Sequence, residues 1–108
     1  DFERVTVVNY RAPYLIAQAA ARAMRKRHSG RIINIGSMWS VITKQGRSPY
    51  AAAKAGLAGM TRALATDWAA DGILVNCVSP GFVLTDLTRR TLTTQERELL
   101  VKQVPQGR

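Results

Sequence analysis

Ser37, Tyr50 and Lys54 bring a hydroxyl, a phenol and an ammonium into one short stretch. Twelve residues separate Ser37 from Tyr50, and the other two are joined as Tyr50-Ala-Ala-Ala-Lys54. On a helix, residues four apart share a face one turn from each other. Ser37 closes the apolar run Arg31-Ile-Ile-Asn-Ile-Gly36, which reads as a short buried strand. Open α/β sheets hold their ligands where a strand ends beside a helix start. Three such groups around one carbonyl would make a proton-transfer site.

The elements that must position these groups follow from the flanking patterns. From about residue 2 to 28, Val5, Val8, Ala12, Leu15, Ile16, Ala19 and Ala23 recur at helical steps, with Arg4, Arg11, Gln18, Arg22 and Arg25 on the wet side. Pro13 should kink this helix or free a backbone carbonyl, and Gly30 suits its C-terminal stop. A second helix is predicted from about Pro49 to Ala70. Its large residues Leu57, Met60, Leu64 and Trp68 should face a core, while Ala52, Gly56, Gly59 and Ala63 form a small-residue face. Two glycines inside a helix imply close approach of another helix, which a second subunit could supply. Ile73–Val78 reads as a second buried strand, with Asn76 tying neighbouring backbone together. Residues 82–90 read as a loop, and Thr93-Thr-Gln-Glu96 as a capping box opening a short helix to about Val104. The order helix, strand, helix, strand, helix implies parallel strands joined by crossovers. Two parallel strands need further strands to make a stable sheet.

Composition narrows the classes. The chain of 108 residues is 46% hydrophobic, which excludes a disordered polar chain and suits one modest core. No apolar run reaches membrane-spanning length. The net charge of +9 raises nucleic acid as a partner, but Arg22, Arg25, Lys26, Arg27 and His28 cluster where the first helix should end. Cations there offset the helix dipole, and no aromatic residues interleave the others as stacking platforms. Neither nucleic acid nor membrane is therefore expected as a partner, and no metal-ligating set stands out. The lone Cys77 reads as a small core residue rather than a nucleophile, and points to a reducing cytoplasm.

Taken together, Val8-Asn9, Gly30-Arg-Ile-Ile-Asn-Ile-Gly-Ser37, Tyr50-Ala-Ala-Ala-Lys54, Asn76-Cys-Val-Ser-Pro-Gly81 and Thr85 resemble the short-chain dehydrogenases/reductases over essentially the whole chain. The resemblance implies an α/β fold that is part of a doubly wound Rossmann-type parallel sheet flanked by helices, with residues 1–108 as the catalytic half of a single domain. It implies Tyr50 as general acid/base, Lys54 as the cation that favours the phenolate and hydrogen-bonds the nicotinamide ribose, and Ser37 as the group that polarises the substrate oxygen. A free phenol keeps its proton to about pH 10, so a neighbouring positive charge matters. Asn9 would help hold a water in a proton relay. Tyr50, Lys54, Pro80, Gly81, Val83 and Thr85 would grip the cofactor, NAD or NADP. Trp39 would join Ser37 in the substrate pocket, or pack in the core instead.

The stretches around Ser37-Met38-Trp39-Ser40, Ser48-Pro49-Tyr50 and Val104-Pro-Gln-Gly-Arg108 look most like sugar-acid and polyol dehydrogenases of the gluconate 5-dehydrogenase type. The 3-oxoacyl-carrier-protein reductases share Tyr-Ala-Ala-Ala-Lys-Ala-Gly, and a non-catalytic interaction module remains a further alternative. A homo-oligomer, dimer or tetramer, through the helices of about 2–28 and 49–70 is also implied. The family's glycine-rich phosphate loop, first four strands and last strand have no counterpart in these residues, which suggests a piece of an enzyme more than twice as long.

Overall fold

A computed structural model of the chain describes residues 1–107. Two strands, β1 (Gly30–Ile35) and β2 (Ile73–Val78), pair in parallel with Gly30 opposite Ile73 and Ile35 opposite Val78. The helix α3 (Ser48–Trp68) connects them and packs on one face of the sheet. Parallel pairing has a direct consequence for the site: both strands end at the same edge, so Ser37 and the segment after Val78 emerge side by side. The amide of Gly36 donates to the Val78 carbonyl at 2.7 Å, extending the ladder one step past β1.

The helical N-terminal region is not uniform. It runs as α1 (Phe2–Thr6), a π-helical turn at Val7–Arg11, and α2 (Ala12–Arg25). Proline has no N–H for the carbonyl four residues earlier, so Pro13 cannot close the regular bond to Asn9. The chain widens instead, and the Ala12 amide donates to the Val7 carbonyl five residues back. The expected disturbance at Pro13 is thus a widened turn around Asn9. The helix also ends earlier than its pattern predicts, at Arg25, and His28 (φ 49°) takes the left-handed stopping conformation expected of Gly30.

The core lies between α2, α3 and the covered face of the sheet: Ala17, Ala21, Leu57, Met60, Leu64, Trp68, Ile73 and Val75. Leu57 and Ile73 are 1% exposed, and burial of a side chain of this size contributes about 1.5–3 kcal/mol. The four large residues foreseen on α3 all face this core. The apolar stripe foreseen on the first helix does not: α2 meets the core through Ala17 and Ala21, whereas Leu15 and Ile16 are 52% and 68% exposed. Small residues let α2 come close, and its larger apolar residues point away. The two strands are likewise buried on one face only, with Ile33, Ile35, Leu74 and Val78 exposed on the other. Asn76 lies on that exposed face, and the buried asparagine of the sheet is Asn34. Cys77 is half-buried rather than a core residue.

Gly56 has its close neighbour within the chain. A Cβ there would stand 3.3 Å from two ring carbons of Tyr10, so the π turn rather than a second subunit lies across this glycine. Beyond β2, residues 86–91 form a helix, α4 (Asp86–Thr91), where the sequence reads as a loop. Thr85 and Thr88 cap it reciprocally, a threonine version of the capping box. The predicted Thr93/Glu96 box opens α5 (Thr94–Lys102). Among the described residues no helix is long and apolar enough to cross a membrane.

Candidate active site

Lys54 enters from the first third of α3 and turns toward the end of β1. Its Nζ donates to the Ile35 carbonyl at 2.7 Å, and the residue is 9% exposed. Burial disfavours the ammonium and pulls its pKa below the 10.5 of a free lysine, while negative charge on the nearby Cys77 sulfur works the other way. The ammonium has three donors, so two remain after the Ile35 bond. Those donors are open to a bound oxygen-rich group.

Tyr50, one turn earlier, lies with its ring centroid 5.7 Å from the Lys54 Nζ. Its ring is half-buried, and its hydroxyl makes no hydrogen bond among the described residues. Ser37 is buried two residues beyond Ile35 and caps a 3₁₀ turn at Met38–Ser40, its Oγ accepting from the Trp39 amide at 3.2 Å. α3 packs against this turn. Asn9 sits in the π turn and, with Lys54, lines a cavity of about 370 Å³ floored by Ala17, Ile32 and Leu57. Its Nδ2 donates to the Val5 carbonyl at 3.0 Å, leaving the side-chain oxygen as the free polar atom.

The segment after β2 closes the other side. The Pro80 carbonyl accepts from the Met38 amide at 3.2 Å, tying this segment to the turn after Ser37. Gly81 faces the Met38 sulfur, and Phe82 meets Trp39 edge-to-face with centroids 6.2 Å apart. Trp39 is half-buried against Phe82 rather than part of the core. Val83 is exposed, and its carbonyl accepts from the Thr88 hydroxyl. The Thr85 hydroxyl is engaged as the cap of α4.

The structure thus brings Lys54 beside the Tyr50 ring and onto one cavity wall with Asn9, and links the Ser37 turn to the Pro80 segment through backbone. Sequence reasoning missed three participants: the Ile35 carbonyl, Cys77, and the buried pair Asn34 and Thr61. Asn34 Nδ2 donates to Thr61 Oγ1 at 2.9 Å, and that hydroxyl donates in turn to the Leu57 carbonyl at 2.8 Å. The one signal available was a polar residue inside each apolar pattern.

Residues 1–96 match the model of the family described as short chain dehydrogenase. The chain belongs to this family. It is 47% identical over 104 residues to the 3-oxoacyl-[acyl-carrier-protein] reductase FabG of Pseudomonas aeruginosa, covering 96% of this chain and 42% of that protein. The FabG of Salmonella typhimurium is 42% identical over 108 residues, covering all of this chain and 44% of that protein. Among solved structures, a gluconate 5-dehydrogenase from Burkholderia cenocepacia in complex with NADP and tartrate superposes with a TM-score of 0.92 at 36% identity, covering all of this chain and 43% of that one. An NAD⁺-bound xylitol dehydrogenase gives 0.90 at 26% identity over 47% of its chain. The short-chain dehydrogenase fold accounts for the parallel α/β arrangement as part of a Rossmann-type sheet. The chain spans less than half the length of these relatives, and the gluconate 5-dehydrogenase and xylitol dehydrogenase structures hold NADP and NAD⁺ respectively.

Proposed function

We propose that residues 1–108 are the catalytic half of a Rossmann-type domain that interconverts a secondary alcohol and a ketone. The observation that carries this reading is the buried Lys54 ammonium, held at the end of β1 beside the Tyr50 ring and two residues short of Ser37. In the reduction direction Tyr50 gives its hydroxyl proton to the substrate oxygen; in oxidation it takes that proton back. Lys54 lends positive charge to the phenolate and turns its two free donors to the cofactor ribose. Ser37 donates its O–H to the substrate oxygen while its lone pair stays on the Trp39 amide. Asn9 offers its side-chain oxygen to a water in the cavity it shares with Lys54, a route for the proton to solvent. A bound NAD(P)H would supply the hydride for reduction, and NAD(P)⁺ would take it up in oxidation. Pro80, Gly81, Val83 and Thr85 line the side where its nicotinamide end would lie.

The substrate is proposed to be a sugar, sugar acid or polyol. Support comes from Trp39, whose indole suits a sugar face, and from the likeness to gluconate 5-dehydrogenase and xylitol dehydrogenase structures. A second reading, a 3-oxoacyl thioester, is favoured by a groove of about 790 Å³ between Phe82–Leu84 and α4–α5, lined mainly by Leu92, Leu100, Val101 and similar apolar residues. A homotetramer or dimer in the cytoplasm completes the proposal, with exposed Val8, Leu15 and Ile16 as candidate contact residues.

The test is Tyr50→Phe in the intact enzyme. Turnover should fall by about 10²–10⁴-fold, the worth of a positioned acid/base, while NAD(P)H binding followed by fluorescence persists. Wild-type turnover in the variant would refute the assignment. Relative kcat/KM for gluconate, xylitol and a 3-oxoacyl thioester separates the two substrate readings.

A further inference from the structure

The bond from Asn34 to Thr61 crosses between β1 and α3 in a place that packing alone does not require. Both residues are buried, at 8% and 4% exposure. A buried amide and hydroxyl are costly unless partnered. Here the partnership is directional. Thr61 spends its proton on the Leu57 carbonyl one turn back, which leaves its oxygen to accept from Asn34 Nδ2.

One residue along β1, the Ile35 carbonyl receives the Lys54 Nζ. The strand and the helix are therefore cross-linked twice, by Asn34–Thr61 and by Lys54–Ile35, and the two links close a ring through both backbones. Two residues past Ile35 comes Ser37. The first link holds the strand end at a fixed height along α3, and that height sets where the Ile35 carbonyl meets the ammonium.

We propose that Asn34 and Thr61 are positioning residues of the active site: their buried hydrogen bond registers β1 against α3 and so holds Lys54 and Ser37 in place. The proposal rests on the catalytic reading of Lys54 for its effect on turnover, but not for its effect on Lys54 itself. Thr61→Val keeps the volume and removes the acceptor, leaving the Asn34 amide unpartnered. Thr61→Ser keeps the acceptor.

Around the ammonium, β2 contributes Cys77 and α3 contributes Tyr50 as titratable groups. β1 offers the Ile35 carbonyl, and the π turn offers the uncharged Asn9. Tyr10 of that turn lies over Gly56. A carbonyl hydrogen bond favours the charged form of lysine, so loosening it lowers the pH at which Lys54 loses its proton.

The experiment is made on the intact enzyme with the three versions of position 61. Trace labelling of lysine amines across pH, read by mass spectrometry, follows Lys54 without any turnover. Thr61→Val should move the Lys54 titration down by about half a pH unit or more, and Thr61→Ser should restore it. In the same variants kcat should fall about 10-fold for Thr61→Val with KM changed far less, as for a misplaced catalytic group, and recover in Thr61→Ser. An unchanged Lys54 titration in Thr61→Val, with only a lower melting temperature, would overturn the proposal. A shifted titration in a protein with no dehydrogenase activity in any version would uphold the clamp and remove the proposed function instead.

Discussion

Gly36 joins the carbonyl that holds Lys54 to the serine that would polarise the substrate, and it lies against the start of the other loop. A Cβ built there would sit 2.6 Å from Ser79 Oγ and 2.8 Å from Cys77 Sγ, with the Val78 carbonyl oxygen at 3.4 Å. Ordinary contact begins at 3.4 Å, so Gly36→Ala overlaps the oxygen by 0.8 Å (3.4 − 2.6) and the sulfur by at least 0.6 Å (3.4 − 2.8). Ser79 is exposed and its hydroxyl can rotate away. Cys77 is half-buried in β2, and β1 cannot retreat without breaking the 2.7 Å bond from Gly36 to Val78. The sulfur contact should therefore carry most of a cost typical of overpacking, about 1–3 kcal/mol.

Thermal melts of the intact enzyme would read this as a loss of about 2–4 °C per kcal/mol in a domain of 150–250 residues. Ser37 is the next residue, and a shift near 1 Å should lower kcat/KM by about 10²-fold. The double variant Gly36→Ala/Cys77→Ala should recover most of the lost melting temperature, and Gly36→Ala/Ser79→Ala little. The reasoning fails if Gly36→Ala melts and turns over like wild type. It fails equally if the serine truncation, rather than the cysteine truncation, rescues.

Two further outcomes follow from charge and backbone. If the Lys54 ammonium is needed for turnover, activity should fall on the alkaline side as pH rises through its pKa. Burial lowers that pKa, so the limb should lie below the 10.5 of a free lysine, and a pH profile of kcat with a limb at or above 10.5 would contradict the burial argument. Gly72 has φ +70°, and an added Cβ would run into the His28 carbonyl. Gly72→Ala should cost at least about 1–3 kcal/mol in chemical denaturation, the cost of strained backbone alone, and a variant as stable as wild type would show that the α2–β1 turn does not close on this glycine.

The residues proposed to carry the chemistry stand out in the sequence because each lies in a local pattern: Tyr50 and Lys54 by helical spacing, Ser37 by the end of an apolar run. β2 was legible for the same reason, an apolar run with a turn on each side. What escaped depends on contacts between residues far apart in the chain. Asn34 and Thr61 are 27 positions apart, and Lys54 and Ile35 are 19 apart, so no short window joins them. The outward turn of Leu15 and Ile16 escaped because helical periodicity gives a stripe but not which neighbour covers it. α4 was hidden by its cap, since Thr88 stands at the third position where a glutamate or glutamine after Thr85 would have signalled a helix start.

Neither α4 nor α5 contains a buried residue, while α3 and β2 hold most of the core and α3 carries Tyr50 and Lys54. Substitutions in the helical pair therefore leave the interior untouched. The segment between β2 and α4 is tied instead to the turn after Ser37, through Met38 with Pro80 and Trp39 with Phe82. If the groove beside α4 and α5 takes part in recognition, mutation there can reshape it while the surroundings of Lys54 stay fixed. On that reading a lineage could try new substrates without first risking its stability, and exchanging residues 83–104 between relatives is the laboratory counterpart of that drift.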